Sequence, residues 1–291
     1  MRAAAWAAFA HLPVMLLLAA ASAGPGRWRA VHAGAALAIA AIGVDAFLVE
    51  PHALQVVRYT ICSDELDAPL RIVALSDVQT DHVGAYERSA FERAMAEHPD
   101  LIVLPGDFVQ AWPRQRGAQV AALRELLPIL QAPLGVWAVQ GNVDPPGWAE
   151  ALFGGTHVRA ADATTTVDLG PIRLSALSFA DGFDPALTLP HQPGFHLAFA
   201  HGPDFSLSPG VDADLLIAGH THGGQVQLPL VGPLLTLTRV PRAAGRGGLT
   251  ALSGDRALIV SRGVGMERGR APRLRIGCRP QIVVVDLVPA P

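Results

Sequence analysis

The chain has 291 residues, a formal net charge of -3 and a mean hydropathy of +0.33, an average that soluble enzymes rarely reach. This length allows one large domain with additional elements. The two cysteines, Cys62 and Cys278, lack the spacing of metal ligands, which excludes a cysteine-based zinc site.

The apolar excess lies at the start of the chain. Residues 3–23 and 30–49 are two apolar stretches of about 20 residues, the length of a membrane-spanning helix. The segment 24–29 between them has the glycine and proline content of a turn, so we predict a transmembrane helical hairpin. The alternative is a signal peptide cleaved near residues 21–23, which would leave the second stretch as an unexplained apolar helix.

This pattern divides the chain into a membrane segment over residues 1–50 and a second domain over residues 51–291. Arg27 and Arg29 lie in the predicted turn and outnumber Arg2 before the first helix. Because basic residues tend to stay on the cytoplasmic side, we predict an integral membrane protein whose second domain is extracytoplasmic. Further arginines early in the second domain weaken this bias.

Three apolar runs in the second domain each end at a polar side chain that can bind a metal. Each run is short and is closed by a turn-prone loop, which is typical of a buried strand leading into a site loop. The runs and the residues that follow them are 71–76 with Asp77, Leu101–Leu104 with Asp107, and 136–140 with Asn142. The predicted strands therefore supply two carboxylates and one carboxamide.

Two further apolar runs end at histidines. The run 195–200 precedes His201, and Leu215–Ala218 precedes Gly-His-Thr-His-Gly-Gly-Gln, which contains His220 and His222. Glycines on both sides let a tight turn bring two imidazoles to one point at a sheet edge. Imidazole is a common metal ligand, so the five loops together predict a metal cluster.

These motifs, in this order, resemble the signature of the calcineurin-like metallophosphoesterases: Asp-x-His, Gly-Asp, Gly-Asn-His-Asp, a lone His and Gly-His-x-His. The chain is most similar to the membrane-associated branch, which includes UDP-2,3-diacylglucosamine pyrophosphatase-like phosphohydrolases, in its motifs after His222 and at residues 261–265 and 278–280. The resemblance covers about residues 54–288. It implies an α/β fold, an αββα sandwich of two mixed β-sheets flanked by helices.

The resemblance also implies the ligands. It places Asp77, Asp107 and His222 on a first ion and Asp107, Asn142, His201 and His220 on a second, with catalytic roles for Asp107, Asn142 and His201. Two divalent ions about 3.5–4 Å apart then share Asp107 and hold a hydroxide for in-line attack on phosphorus. Carboxylates reduce the repulsion between the ions, and neutral imidazoles preserve their Lewis acidity.

Two positions depart from the family pattern. Gln79 replaces the histidine of Asp-x-His, and Val143 replaces the histidine after Gly-Asn. A glutamine carbonyl is a harder and weaker ligand than imidazole, so the first site should lean toward oxygen-preferring ions such as manganese or magnesium. Two divalent ions are expected, with manganese favoured and zinc, iron or magnesium as alternatives. Three arrangements stay open at the first ion: Gln79 ligates it, His82 takes that place, or the ion is weakly held.

Val143 bears on the substrate. The family histidine stabilises the transferring charge and protonates the leaving oxygen, and valine does neither. A general acid contributes about 10²–10⁴ in rate, so without one a phosphate or phenolate leaves better than an alkoxide. This favours a diphosphate bond, as in a nucleoside-diphosphate sugar or lipid, unless His191 or His82 supplies the proton. Asp144, which orients the family histidine, is expected to be only a turn residue.

Arginine is concentrated near the end of the chain. Residues 231–280 contain ten arginines against Asp255 and Glu267, a local charge of +8. If this segment lies near the metal site, its guanidinium groups would bind substrate phosphates or anionic lipid headgroups, and we assign Arg262 to substrate binding. The alternative is a solvated loop. Nucleic acid is not predicted as a partner, because the segment lacks aromatic side chains for base stacking.

The remaining segments alternate between helical and strand patterns. Residues 86–98 and 118–130 have apolar residues at helical spacing. Strands are predicted at residues 164–167, 172–177, 195–200, 257–260 and 282–285. A two-sheet core with helices on both outer faces accounts for this order.

These observations lead to one main hypothesis. We expect a membrane-anchored, metal-dependent phosphohydrolase that cleaves a phosphodiester or, more readily, a diphosphate bond in a phosphorylated small molecule or lipid. The alternative is a catalytically weak metal-binding regulatory protein of the same fold, in which Gln79 and Val143 mark decay of the site. The retained His201, His220 and His222 argue against full decay.

Overall fold

The computed structural model describes residues 4–5, 7–23, 25–269 and 271–290. Two six-stranded sheets and one two-stranded ribbon form its β-structure. The first sheet has the strand order β1 (Gln55–Ser63), β14 (Gln281–Pro289), β2 (Leu70–Ala74), β3 (Leu101–Leu104), β4 (Val136–Val139) and β5 (Val158–Ala161). The second has the order β12 (Gly248–Ala251), β13 (Ala257–Val260), β9 (Leu215–Ala218), β8 (His196–Ala200), β7 (Arg173–Ala176) and β6 (Thr165–Asp168). The ribbon pairs β10 (Gln227–Leu228) with β11 (Gly232–Pro233).

Both sheets are mixed, as predicted. In the first, β2 to β5 are parallel, whereas β14 runs antiparallel to β2 and parallel to β1. In the second, β13, β9, β8 and β7 are parallel, and the edge strands β12 and β6 are antiparallel to their neighbours. Parallel strands end at a common edge, so the loops after β2, β3 and β4 lie side by side, as do those after β8 and β9.

Helices cover the first sheet more fully than the second. The outer face of the first sheet packs against α3 (Ala85–Met95), α4 (Pro113–Leu126) and α5 (Trp148–Phe153). The outer face of the second sheet meets the four-residue helices α6 (Phe179–Gly182) and α7 (Arg242–Gly245), together with loops. Single 3-10 turns lie at Leu127–Ile129, Asp204–Leu207 and His222–Gly224. Within the described residues, the second helical layer of the predicted sandwich is therefore built from short helices and loops.

The central strands of both sheets are apolar on both faces. Alternate residues of a strand face opposite sides, so Ile72 lies in the core between the sheets and Val73 lies in the core under the helices. Both side chains are fully buried. Burial of each such side chain contributes about 1.5–3 kcal/mol. Strands covered on both faces lose the usual alternation, which explains the continuous apolar runs in the sequence.

The apolar start of the chain is helical. A π-helical turn at Ala7–His11 leads into α1 (Leu12–Ser22). The next helix, α2 (Arg27–Val44), continues through a π-helical turn at Asp45–Val49 and a 3-10 turn at Glu50–His52. The rings of Phe9 and Phe47 meet edge to face with their centroids 5.8 Å apart, so the two helical segments contact each other.

One helix in the described part of the chain is long and apolar enough to cross a membrane. It is the 26-residue segment Arg27–His52, whereas the apolar helix Ala7–Ser22 is shorter. The two spans of the predicted hairpin therefore stay a prediction.

The end of the long helix is bonded to the main body. Glu50 is buried, and its carboxylate accepts hydrogen bonds from the backbone N–H groups of Gly277 (2.9 Å) and Cys278. The N–H of Arg275 donates to the carbonyl of Ala46 at 3.0 Å. The helix is thus fixed to the loop that precedes β14.

Candidate metal centre

The loops after β2, β3 and β8 bring three buried side chains together. Asp77, Asp107 and His201 each offer a ligand atom, and these atoms all lie within 4.8 Å of one another. Nε2 of His201 is 3.5 Å from Oδ2 of Asp107. The ionised carboxylates of Asp77 and Asp107, buried within 4.8 Å of each other, would repel each other, and a divalent cation between them would remove the repulsion.

The loops after β4 and β9 add a carboxamide and a second imidazole. Oδ1 of Asn142 lies 2.9 Å from Nε2 of His201 and 2.9 Å from Nδ1 of His220. The two imidazole nitrogens are 3.2 Å apart. Asn142, His201 and His220 therefore direct their ligand atoms to one point beside Asp107, as the predicted second ion requires.

Backbone carbonyls set the tautomers of these histidines. Nδ1 of His201 lies 2.8 Å from the carbonyl oxygen of Pro105, and Nε2 of His220 lies 3.2 Å from that of Leu237. A carbonyl only accepts, so the proton of each ring sits on the nitrogen facing the carbonyl. The other nitrogen keeps its lone pair toward the centre, which is the usual arrangement of histidine ligands.

The predicted first ion also has its side chains in place. Nε2 of His222 is 3.7 Å from Oδ1 of Asp77. Nδ1 of His222 and Oε1 of Gln79 are buried and lack hydrogen-bond partners among the described residues. Buried polar atoms without partners are costly, and a bound cation would satisfy such an acceptor.

Glu267 fixes the orientation of the Gln79 amide. Nε2 of Gln79 donates to Oε2 of Glu267 and to Oε1 of Gln110, both at 3.1 Å, and Nε2 of Gln110 donates to Oε1 of Glu267 at 2.9 Å. A carboxylate accepts hydrogen bonds, so both glutamines must turn their nitrogens toward these acceptors. Oε1 of Gln79 is left as a free acceptor, which is the orientation that a metal ligand needs.

Five of the seven predicted ligands have a left-handed backbone conformation. Their φ angles are 50° for Asp77, 33° for Gln79, 59° for Asp107, 68° for His220 and 48° for His222. Residues other than glycine rarely adopt this conformation, which costs about 1–3 kcal/mol each and clusters at functional sites.

Two glycines allow the loops to approach closely. A Cβ atom on Gly141 would lie 2.1 Å from Oδ1 of Asp107, and one on Gly219 would lie 2.5 Å from Oδ2 of Asp77. Any side chain at these positions would displace a predicted ligand. This explains why glycine precedes both Asn142 and His220.

Asp144 has a structural role that its position in the sequence did not indicate. Its buried carboxylate accepts hydrogen bonds from the N–H groups of Asp107 (2.9 Å), Phe108 (2.9 Å) and Gly141 (2.8 Å). The N–H of Val143 in turn donates to Oδ1 of Asp107 at 2.8 Å. The expectation of a mere turn residue is therefore wrong, because Asp144 joins the loop after β3 to the loop after β4.

Burial controls the protonation of the centre. Burial, opposed by the charge of His201 and assisted by that of Asp107, raises the pKa of Asp77 to about 7. Burial, followed by the charge of Asp144, raises the pKa of Asp107 well above its usual range. Burial lowers the pKa of His220 to about 4 and that of His222 far below its usual range. Both histidines are therefore neutral at pH 7, as metal ligands must be.

A buried arginine holds the loops behind the centre. The guanidinium of Arg275 donates to the carbonyls of Arg262 (2.7 Å), Cys278 (2.9 Å), His222 (3.4 Å) and Gly265. Its positive charge also contributes to the low pKa of His222. Sequence reasoning missed Arg275, Glu267 and Gln110, because nothing in the local pattern distinguishes them from their neighbours.

The remaining candidates lie elsewhere. Arg262 donates to the side-chain oxygens of Gln281 (2.8 Å) and Gln55 (3.4 Å), and its role in substrate binding stays a prediction. His82 is exposed and is not one of the three residues of the buried cluster. His191 is exposed and lies 3.4 Å from a carboxylate oxygen of Asp212.

A cavity of about 270 Å³ opens over the centre. Its polar lining includes Asp107, Asn142, His220, His222 and Glu267, and its apolar lining includes Val226, Leu234, Leu235, Leu237 and Pro272. A phosphate group and an apolar group of one substrate would both find partners here.

The two-sheet sandwich with clustered carboxylates, carboxamide and imidazoles at one edge defines a metal-dependent hydrolase of phosphate esters. Residues 70–224 match the calcineurin-like phosphoesterases, and the chain belongs to this family. It is 30% identical over 285 residues to the uncharacterized metallophosphoesterase YkuE of Bacillus subtilis. The matched region covers 90% of this chain and 95% of YkuE.

Two other relatives have named activities. The phosphodiesterase YaeI of Escherichia coli is 29% identical and covers 82% of this chain and 90% of its own length. The UDP-2,3-diacylglucosamine pyrophosphatase LpxG of Chlamydia muridarum is 25% identical and covers 74% of this chain and 83% of its own length. The resemblance predicted from the motifs is confirmed, and the chain is a metallophosphoesterase.

Proposed function

We propose that this protein hydrolyses a phosphodiester or diphosphate bond with a hydroxide activated by two divalent ions. The observation that carries this proposal is the convergence of Asp77, Asp107 and His201 within 4.8 Å, next to Asn142, His220 and His222. The two relatives with named activities cleave bonds of these two kinds.

Each ligand has a proposed place. Asp77, Gln79, Asp107 and His222 would hold the first ion, and Asp107, Asn142, His201 and His220 would hold the second. The unpartnered Oε1 of Gln79 supports Gln79 over His82. When bound, the ions supply Lewis acidity and lower the pKa of attacking water. Oxygen ligands from carboxylates and amides favour manganese.

Val143 supports a substrate with a good leaving group. It follows the proposed ligand Asn142, and its side chain cannot donate a proton. A diphosphate bond needs no such donor, because phosphate leaves readily. The apolar part of the cavity suits a lipid, so we infer a lipid-linked or nucleotide-sugar diphosphate as the substrate class.

A membrane location completes the proposal. The helix Arg27–His52 would anchor the chain, with α1 as the second arm of a hairpin, residues 1–50 as the membrane segment and residues 51–291 as the catalytic domain. Arg27 and Arg29 favour an extracytoplasmic catalytic domain.

Metal analysis and turnover on purified protein test this function. We expect about two manganese ions per chain and faster cleavage of a nucleoside-diphosphate lipid than of an alkyl phosphodiester, with bis-nitrophenyl phosphate as a reference substrate. The matched control is Asp107→Asn, which should lose both metal and turnover. Metal binding without turnover on any of these substrates would instead support the regulatory alternative.

A further inference from the structure

A loop beside the metal centre exposes an unusual amount of apolar surface. We call residues 228–237 the apolar loop. Its exposed large apolar side chains are Leu228, Leu230, Val231, Leu234, Leu235 and Leu237. In the described residues after the N-terminal helices, the other exposed large apolar side chains are Trp112, Phe179, Leu207 and Leu249, which are scattered singly. A contiguous apolar surface of this kind marks a site of interaction.

The tip of the apolar loop breaks a local rule of turn formation. The N–H of Val231 donates to the carbonyl of Leu228 at 3.2 Å, with Pro229 and Leu230 between them. Leu230 has a φ of 66°, which this turn normally reserves for glycine. Its side chain is fully exposed, so no contact within the protein compensates for the strained backbone. A residue that breaks a local rule without such compensation points to a function outside the fold.

Arginines flank the apolar loop. Arg239, Arg242 and Arg246 are exposed. A cavity of about 480 Å³ lies between the loop and α7, lined by Leu228, Leu230, Arg242, Arg246 and Gly277 among others. Apolar side chains next to guanidinium groups match a surface of acyl chains beneath anionic headgroups.

The base of the apolar loop and the candidate membrane helix are bonded to neighbouring residues of one short segment, 275–278. At the base of the loop, the N–H of Gln227 donates to the carbonyl of Ile276 at 2.7 Å. The helix is bonded to Arg275, Gly277 and Cys278 through Ala46 and Glu50. A bilayer that receives this end of the helix therefore lies next to the loop.

We propose that the apolar loop inserts into the surface of a lipid bilayer, with Arg239, Arg242 and Arg246 on anionic headgroups. Leu234, Leu235 and Leu237 also line the cavity over the metal centre, so that cavity opens toward the bilayer. The acyl part of a lipid substrate can then reach the centre without crossing water. The direction of approach rests on the membrane anchoring proposed above.

Depth measurements on the full-length protein in nanodiscs test this proposal. A nitroxide is attached at position 230 in the variant Cys62→Ser/Leu230→Cys, since Cys278 is buried. The matched control is the wild-type chain labelled at the exposed Cys62, which lies near the far end of β1, about 20 Å from Gln55 at the strand rise of ~3.3 Å per residue. Oxygen, which concentrates in the bilayer, and a neutral nickel chelate, which stays in water, then report the surroundings of each label.

We expect the ratio of oxygen to nickel collisions to be several-fold higher at position 230 than at position 62. Adding phosphatidylglycerol to phosphatidylcholine discs should increase the ratio at 230, and Arg242→Gln/Arg246→Gln should remove that increase. Equal ratios at the two positions would overturn the proposal and would leave a protein partner as the occupant. A melting curve for each variant shows that the fold is retained.

The same measurement separates this proposal from the proposed function. Asp107→Asn should abolish hydrolysis but leave the collision ratio at position 230 unchanged, because Asp107 lies outside the apolar loop. A high ratio in a protein without phosphohydrolase activity would reject the function alone. A low ratio in an active protein would reject the inserting loop alone.

Discussion

The two sheets contribute different chemistry to the centre. Loops of the first sheet supply oxygen atoms from Asp77, Gln79, Asp107 and Asn142, whereas loops of the second sheet supply the imidazole nitrogens. The oxygen ligands are held by hydrogen bonds between loops, above all through Asp144, and the imidazoles are held by carbonyls behind them. Ions at the centre would therefore join the two sheets, and stability should depend on them as activity does.

The difference between the two sheets is tested most strongly by removing Asp107, the oxygen ligand that both ions would share. Asp107→Asn removes the negative charge that both ions would share, so we expect loss of most bound metal and at least about a 10²-fold drop in turnover. Metal analysis and kinetics on the same sample measure both. A variant with normal metal content and normal turnover would contradict the two-ion centre.

A second test places an imidazole on a loop of the first sheet, which otherwise supplies only oxygen ligands. Val143→His would offer a proton donor next to Asn142, which should speed the cleavage of alkyl phosphodiesters and leave diphosphate cleavage nearly unchanged. A general acid contributes about 10²–10⁴, and we expect the low end, because the carboxylate of Asp144 is engaged by three N–H groups and cannot orient the new ring. Rates across a series of leaving groups measure the effect. A flat dependence in the wild type would show that another residue already donates the proton.

The contribution of Asp77 to the stability of the metal-free protein should fall as pH rises. The pKa of Asp77 is about 7 in the folded chain against a usual value of 3.8, so its contribution is fully present below pH 3.8 and is lost as pH rises to about 7. Manganese should reverse the loss and raise the melting temperature more at pH 8 than at pH 5. Melting curves with and without a chelator measure this difference. An equal gain at both pH values would argue against a buried carboxyl that ionises on metal binding.

A smaller effect is expected from a substitution that loosens the oxygen-ligand loops of the first sheet but leaves every proposed ligand unchanged. Asp144→Asn replaces one accepting oxygen with an N–H₂ group that faces backbone donors, so we expect a loss of about 1–3 kcal/mol in the free energy of unfolding. Asp212→Asn, at an exposed carboxylate, is the matched control and should change little. Urea denaturation compares the two. Equal effects would mean that Asp144 does not join the loops.

The smallest expected effect is a change of metal preference. Gln79→His moves a nitrogen ligand to the first sheet, which should shift relative affinity from manganese toward zinc or iron by several-fold. Competition binding measures the ratio. His82→Ala serves as the comparison. A loss of metal content in this single variant would indicate that His82, and not Gln79, is a ligand of the first ion.

Buried segments were the most predictable part of the fold. The strands at Leu101–Leu104, Leu215–Ala218 and Ala257–Val260 have the predicted bounds, because four fully apolar residues bounded by polar residues, proline or glycine leave little choice. The helix predicted over residues 118–130 begins earlier, at Pro113, where a proline suits the first turn of a helix. The bounds and the pairing of the edge strand β1 were not predicted, since its pairing with β14 joins residues more than two hundred positions apart.

The candidate site shows the same limit. The proposed ligands follow directly from strand-end motifs, and the structure brings six of the seven to within short distances of one another. Glu267 and Arg275 act on Gln79 and His222 from distant positions in the chain, and only the folded structure makes those contacts. Asp144 was misjudged because its partners are backbone N–H groups, which no residue pattern reveals.

The bond between Glu50 and the loop before β14 has a consequence for how the enzyme would meet its substrate. A junction fixed by hydrogen bonds to Gly277 and Cys278 gives the catalytic domain a constant height and tilt instead of a flexible tether. With the helix in a bilayer, the encounter becomes a two-dimensional search by lateral diffusion. The turnover rate would then follow the mole fraction of substrate in the membrane, and diluting the suspension at constant lipid composition would leave it unchanged.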